Sequence, residues 1–172
     1  YTSTERVAKK MASYDNKHGG FQQQKRLPPE IRPQKVPDDY VDQAEKIMRS
    51  LMGNKKAVTT SKIRGMLSMV SEIYNKENRS TKKELREETV IKLNLMRVRV
   101  AYEYGRDTGE KAGKDPVTGK SITIYPVQDF ITQAKLLEYL KGISNDRADL
   151  IRFAHYMEAL VAYHRYFGGR EG

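Results

Sequence analysis

From Leu85 the chain runs LREETVIKLNLMRVRVAYEYGR, with no glycine or proline until Gly105. Two apolar rows recur in it at helical spacing: Ile91, Leu95, Val98 and Tyr102 form one, and Leu93, Met96 and Val100 the other. A helix with a single apolar stripe lies on a surface, whereas one with two neighbouring stripes is wedged between other helices. The spacing therefore predicts a central rod in a helical bundle. Lys92, Arg99 and Arg106 are spaced by seven and fall along one further line of the same helix, with Glu103 beside them. A rod apolar on two sides and positive on a third implies a small helical protein whose output is a charged surface.

The rest of the composition agrees with that reading. At 172 residues, 38% of them hydrophobic and 31% charged, the chain has material for one modest core and an appendage. Its net charge of +10 favours an anionic partner, whether nucleic acid, acidic membrane or acidic protein; solubility alone is the simpler alternative. The absence of cysteine excludes disulfides and thiolate metal sites and fits a reducing cytoplasm, the expected location. No apolar run is long enough to span a membrane, and the first residues lack the apolar centre of a secretory signal. Because it opens on Tyr1, the sequence is expected to begin inside its natural chain.

Residues 1–37 hold four of the six prolines, a Gly19-Gly20 pair and a glutamine run, with eight basic residues against three acidic. With so little to bury, this zone is expected to be an extended or disordered basic tail. The bundle domain is assigned to 38–172. Asp38 or Asp39 caps a first helix that carries Val41, Ala44, Ile47, Met48 and Leu51 on one face and stops at Gly53. A second helix runs from about Thr60 to Asn75 behind the capping cluster Thr59-Thr60-Ser61. Lys62 and Arg64 lie in its first turn, against the helix dipole, which suggests a compensating anion supplied by a partner. With Lys55 and Lys56 they make a local charge of +4. Ser80 or Thr81 is expected to cap the central helix. The connector Arg106–Pro126 is long enough to be functional or mobile, presents Arg106, Lys111, Lys114 and Lys120, and alternates over Ser121–Tyr125 in a way that permits a small hairpin. A fourth helix over Val127–Lys141 and a fifth from Ser144, Asn145 or Asp146 to Phe167 complete an all-α bundle of about five helices, with a long basic loop between the third and fourth.

No catalytic constellation is visible. Gly119-Lys120-Ser121 evokes a phosphate loop, but Lys114 stands where that motif needs glycine, and no helix starts at the serine. His155 and His164, nine apart on one helix, point to nearly opposite sides and cannot share a metal. Neither a cofactor nor a metal is expected, nor an enzyme. Tyr102, Tyr104, Tyr125 and Tyr163 have the chemistry to stack on bases, though core packing is the simpler reading of each. A basic surface remains, suited to a phosphate backbone without base readout.

Three phrases in order, TTSKIRGMLSMV, KLNLMRVRVAYEYGR and FAHYMEALVAYHRYFGGR, resemble the small subunit of the type III-A (Csm) CRISPR–Cas effector complex over roughly Asp38 to Gly169. The resemblance implies an all-helical, non-catalytic RNA-binding subunit. Several copies would stack along the guide RNA–target RNA duplex, beside backbone subunits and a large multidomain subunit, touching chiefly target RNA phosphates. Carried onto this chain, the implied RNA-binding residues are Lys55, Lys56, Lys62, Arg64, Arg97, Arg99 and Arg106. Two other readings stay open: a stand-alone helical nucleic-acid-binding regulator, which needs a base-reading helix, and a basic adaptor for an acidic protein.

Overall fold

In the computed structural model, which describes residues 27–53 and 57–172, six helices and one hairpin follow in order. They are α1 (Tyr40–Met52), α2 (Thr60–Glu77), α3 (Glu87–Gly105), β1 (Glu110–Lys114), β2 (Ser121–Ile124), α4 (Pro126–Gln133), α5 (Leu136–Ile143) and α6 (Arg147–Tyr166). Residues Ile31–Gly172 form one compact unit.

The longest helix, α6, packs against α1, α2 and α5. Leu150, Phe153, Ala154, Tyr156, Met157, Leu160 and His164 are buried along it. Asp146 caps it by accepting a hydrogen bond from the Asp149 amide at 3.2 Å. The helix with two apolar rows is not the central rod. On α3 the row Leu93, Met96 and Val100 faces α2, α4 and α5, but Ile91, Leu95, Val98 and Tyr102 are 53%, 63%, 66% and 58% exposed. With neighbours on one side only, α3 buries one row and turns the other outward. It also begins later than its serine and threonine suggest, with Arg86 at the N-cap. Residues ahead of it are held straight against the α5–α6 turn: the Leu85 amide donates to Asn145 O at 2.8 Å, and the Arg147 amide to Lys83 O at 2.9 Å.

The fourth sequence helix is two helices. Lys135 sits in the left-handed region at φ 53° and separates α4 from α5. The buried Tyr156 hydroxyl donates to Ala134 O at 2.9 Å, taking the carbonyl that a continuous helix would give to the amide four residues on. Tyr156 pays for that seat with its acidity: burial pushes its phenol well above the ordinary tyrosine value.

The long connector is an antiparallel hairpin, with Glu110 opposite Ile124 and Lys111 opposite Thr123, and an irregularity before the Lys114–Ser121 pair. Asp115 closes its turn by accepting from the amides of Val117 (2.7 Å) and Thr118 (3.1 Å), bonds that hold its carboxyl below the usual aspartate range. At its base, Asp107 Oδ2 accepts from the amides of Val127 and Gln128 and so caps α4.

Residues 31–37, assigned to the tail, lie extended along the bundle. Val36 is buried, the Gln34 amide donates to Glu138 O at 3.1 Å, and Lys35 Nζ reaches Gly142 O at 2.7 Å and pairs with Asp149. A Cβ at position 142 would stand 1.9 Å from Gln34 O, so glycine is what lets this strap cross α5. The compact unit thus starts before the residue-38 boundary drawn from composition.

A buried charge pair ties α2 to α6. Glu77 is 1% exposed and Arg147 4%. The Arg147 guanidinium pairs with the Glu77 carboxylate and also donates to the carbonyls of Lys82 (2.6 Å), Glu77 (2.5 Å) and Glu84 (3.1 Å). Arg86 donates to Glu77 at 2.8 Å, and the Thr89 hydroxyl donates as well. Burial alone would raise the Glu77 carboxyl, but the bonds from Thr89, Arg86 and Arg147 outweigh it and bring it to about 2.

Candidate nucleic-acid interface

Antiparallel packing brings the start of α2 beside the end of α3, and there the cations converge. Lys62 Nζ donates to Glu103 Oε2 at 3.3 Å; Arg99 and Arg106 each approach Glu103 Oε1 at 3.5 Å. The Glu103 side chain is 9% exposed, while those of Lys62, Arg99 and Arg106 are 40%, 58% and 51% exposed. One sunken carboxylate therefore carries three cations outside it, leaving a surplus of two positive charges facing solvent. Tyr102 lies among them, with the Arg99 and Arg106 guanidiniums 5.8 and 5.7 Å from its ring centre. The dipole puzzle at Lys62 has an internal answer, because its compensating anion is Glu103 in the last turn of the neighbouring helix. Arg106, at the C-cap of α3, sits where the dipole favours a cation.

Beside the cluster lies a cleft of about 240 Å³, lined in part by Thr59, Lys62, Glu103, Arg106, Glu110 and Arg170. Arg170 pairs with Glu110 at 2.9 Å, donates to Ala57 O at 3.1 Å, and accepts at its own carbonyl from the Thr60 amide at 2.9 Å. The segment after α6 thereby covers one free amide at the start of α2. Thr59 caps that helix from the other side, accepting from the Lys62 amide at 3.4 Å. The cleft's charges largely cancel, so the open positive field belongs to the Lys62–Arg99–Arg106 array.

The expected residues divide. Lys62, Arg99 and Arg106 come together. Arg64 and Arg97 do not join them: each stands two residues from a member of the array, about 200° round its helix. Arg64 is exposed and Arg97 half-buried, and neither forms an ion pair among the described residues. Lys55 and Lys56 lie outside the described residues. Lys92, on the same line as Arg99, is engaged with Glu88 at 3.0 Å and adjoins Lys76, whose ammonium is pushed below its ordinary value by that like-charged neighbour. Lys111, Lys114 and Lys120 stand exposed on the hairpin.

Of the tyrosines, Tyr102 and Tyr125 are exposed, while Tyr104 and Tyr163 are partly buried against the core. Sequence reasoning missed Tyr166, which is 76% exposed and leads an aromatic group with Tyr163 and Phe167; Arg49 lies over the Phe167 ring at 4.8 Å. It also missed the anchoring role of Glu103, although the i, i+4 spacing from Arg99 and the i, i+3 spacing to Arg106 were legible. His164 is a core residue bonded through Nε2 to Val58 O at 2.8 Å, and His155 packs against Tyr74 with ring centres 5.8 Å apart. Among the described residues no group of three or more histidine or acidic side chains is placed to hold a metal. No helix among them is long and apolar enough to cross a membrane.

A family model described as Csm2 Type III-A matches residues 34–170. The chain is 33% identical over 138 residues to the "CRISPR system Cms protein Csm2" of Mycobacterium tuberculosis (strain ATCC 25618 / H37Rv), covering 79% of this chain and 97% of that one. It is 34% identical over 137 residues to the protein so named in Streptococcus thermophilus, covering 78% and 95%. To that of Enterococcus italicus it is 27% identical over 113 residues, covering 64% and 68%.

Proposed function

Because this chain belongs to the Csm2 type III-A family, we propose that it is a non-catalytic structural subunit of the type III-A CRISPR interference complex. In this reading it works in the cytoplasm and binds the guide RNA–target RNA duplex, chiefly through target RNA phosphates, at its basic helix faces. The convergence of Lys62, Arg99 and Arg106 on a rigid helix pair carries the proposal. Cations fixed on helices suit a regular phosphate backbone, and no helix among the described residues offers a row of base-reading amides to a groove. Lys55, Lys56, Arg64 and Arg97 extend the contact surface in this reading. Several copies stack along the duplex, and the backbone and large subunits are further neighbours. The outward row Ile91, Leu95 and Val98 supports protein contacts, since contiguous exposed apolar surface marks interaction sites.

The test is binding of unrelated single-stranded and duplex RNAs across a salt series, by wild type and by Arg99→Gln/Arg106→Gln. Sequence-independent affinity that falls linearly in log–log form is expected, with the variant's slope smaller by about two. Absence of RNA binding even at low salt would sink the RNA reading and favour the adaptor for an acidic protein.

A further inference from the structure

A carboxylate at the centre of a phosphate-binding surface is a cost, since it repels the ligand and occupies donors. Glu103 nevertheless sits there, buried, with three cations gathered on it from two helices. We propose that Glu103 is a positioning residue: it holds Lys62, Arg99 and Arg106 in one preformed array whose outward donors take successive RNA phosphates. The inference rests on the RNA reading above and assigns a role within that site.

The layering supports it. The anion is inside and the cations are outside, so a phosphate approaching from solvent meets positive charge first. Each guanidinium has five N–H donors in a fixed fork. Arg106 directs one donor at Glu103 and Arg99 stands at ion-pair distance from the same oxygen, which orients each fork and leaves other donors for a phosphate oxygen. The Tyr102 ring, within 6 Å of both guanidiniums, adds a second fixed surface on which they rest. Without Glu103, three long side chains repel one another and regain their rotamers, and RNA must order them on binding. That loss outweighs the gain from removing one negative charge screened by its own cations. Simple electrostatics gives the opposite sign, which makes the role measurable.

The measurement is binding of the full chain to a duplex RNA across a salt series, with Glu103→Gln compared with Glu158→Gln. The second variant adds the same charge at an exposed acid on the far helix α6. Glu158→Gln is expected to bind slightly more tightly than wild type. Glu103→Gln is expected to bind about fivefold more weakly, with a shallower salt slope by about one phosphate contact. Placed on Arg99→Gln/Arg106→Gln, Glu103→Gln is expected to cost less than it does in wild type, because two of the three groups it positions are already gone. Glu103→Asp keeps the charge on a shorter arm and should fall between wild type and Glu103→Gln. It carries the test if the glutamine variant does not fold, and binding at or above wild-type strength would then overturn the proposal. Equal effects of the two glutamine variants, or tighter binding by Glu103→Gln, would overturn it too. If wild type shows no salt-sensitive RNA binding, the RNA reading itself fails and takes this role with it. If wild type binds and only the Glu103 variants behave as plain charge changes, the RNA reading stands alone.

Discussion

Glu77→Gln strands a buried guanidinium. Arg147 keeps its carbonyl partners but loses its counter-charge in a site with almost no water, so a loss of about 3–5 kcal/mol is expected in denaturant unfolding. The same pair gives an acid limb. Glu77 titrates near 2 in the folded chain against an ordinary value above 4, so its stabilisation is complete above the unfolded value. It drains away as pH falls from about 5 toward 2, on the order of 3 kcal/mol in all, and Glu77→Gln should flatten that part of the stability–pH curve. Glycine 169 is a second sensitive point. A Cβ there would lie 2.0 Å from the ring of His164, which is itself fixed by Val58, so Gly169→Ala is expected to cost about 1–3 kcal/mol and lower the melting temperature. Neither residue announced itself in the chain. Glu77 reads as an ordinary acid at the end of a helix, and its partner lies 70 positions away.

Among the elements, α3 shows where periodicity stops informing. Spacing reports that a face is apolar and is silent on whether this chain supplies the cover. Both rows of α3 look alike in sequence, yet one lies on α2, α4 and α5 and the other on water. Thermal melts separate them. Leu95→Glu and Val98→Glu are expected to move the melting temperature by no more than a degree or two, as for ordinary surface changes, whereas Met96→Glu should unfold the chain. Helices α1, α2 and α6 were legible because each has one enclosed stripe, and α2 and α6 also have a side-chain cap in register. The break at Lys135 was not legible, since the group that captures the Ala134 carbonyl is a tyrosine hydroxyl from a later helix. Of the binding array, the two arginines and the glutamate were readable from α3 spacing alone. Lys62 joined them only once α2 and α3 were known to run antiparallel.

At the scale of the molecule, the two ends of the compact unit are both fastened to distant elements: the strap 31–37 to α5 and α6, and the segment after α6 to the start of α2. Gly142→Ala should release the strap without unfolding the bundle, seen as faster tryptic cutting after Lys35. The strap also has a history in time. It leaves the ribosome among the first described residues, while its seat, from Glu138 to Arg152, is made more than a hundred residues later. Throughout that interval the strap lacks its hydrogen-bond partners on α5 and α6, and α1 must form beside a segment that still has no place. Docking of the strap is therefore a closing event of synthesis, and a nascent chain whose strap resists protease is one whose last helix has already folded.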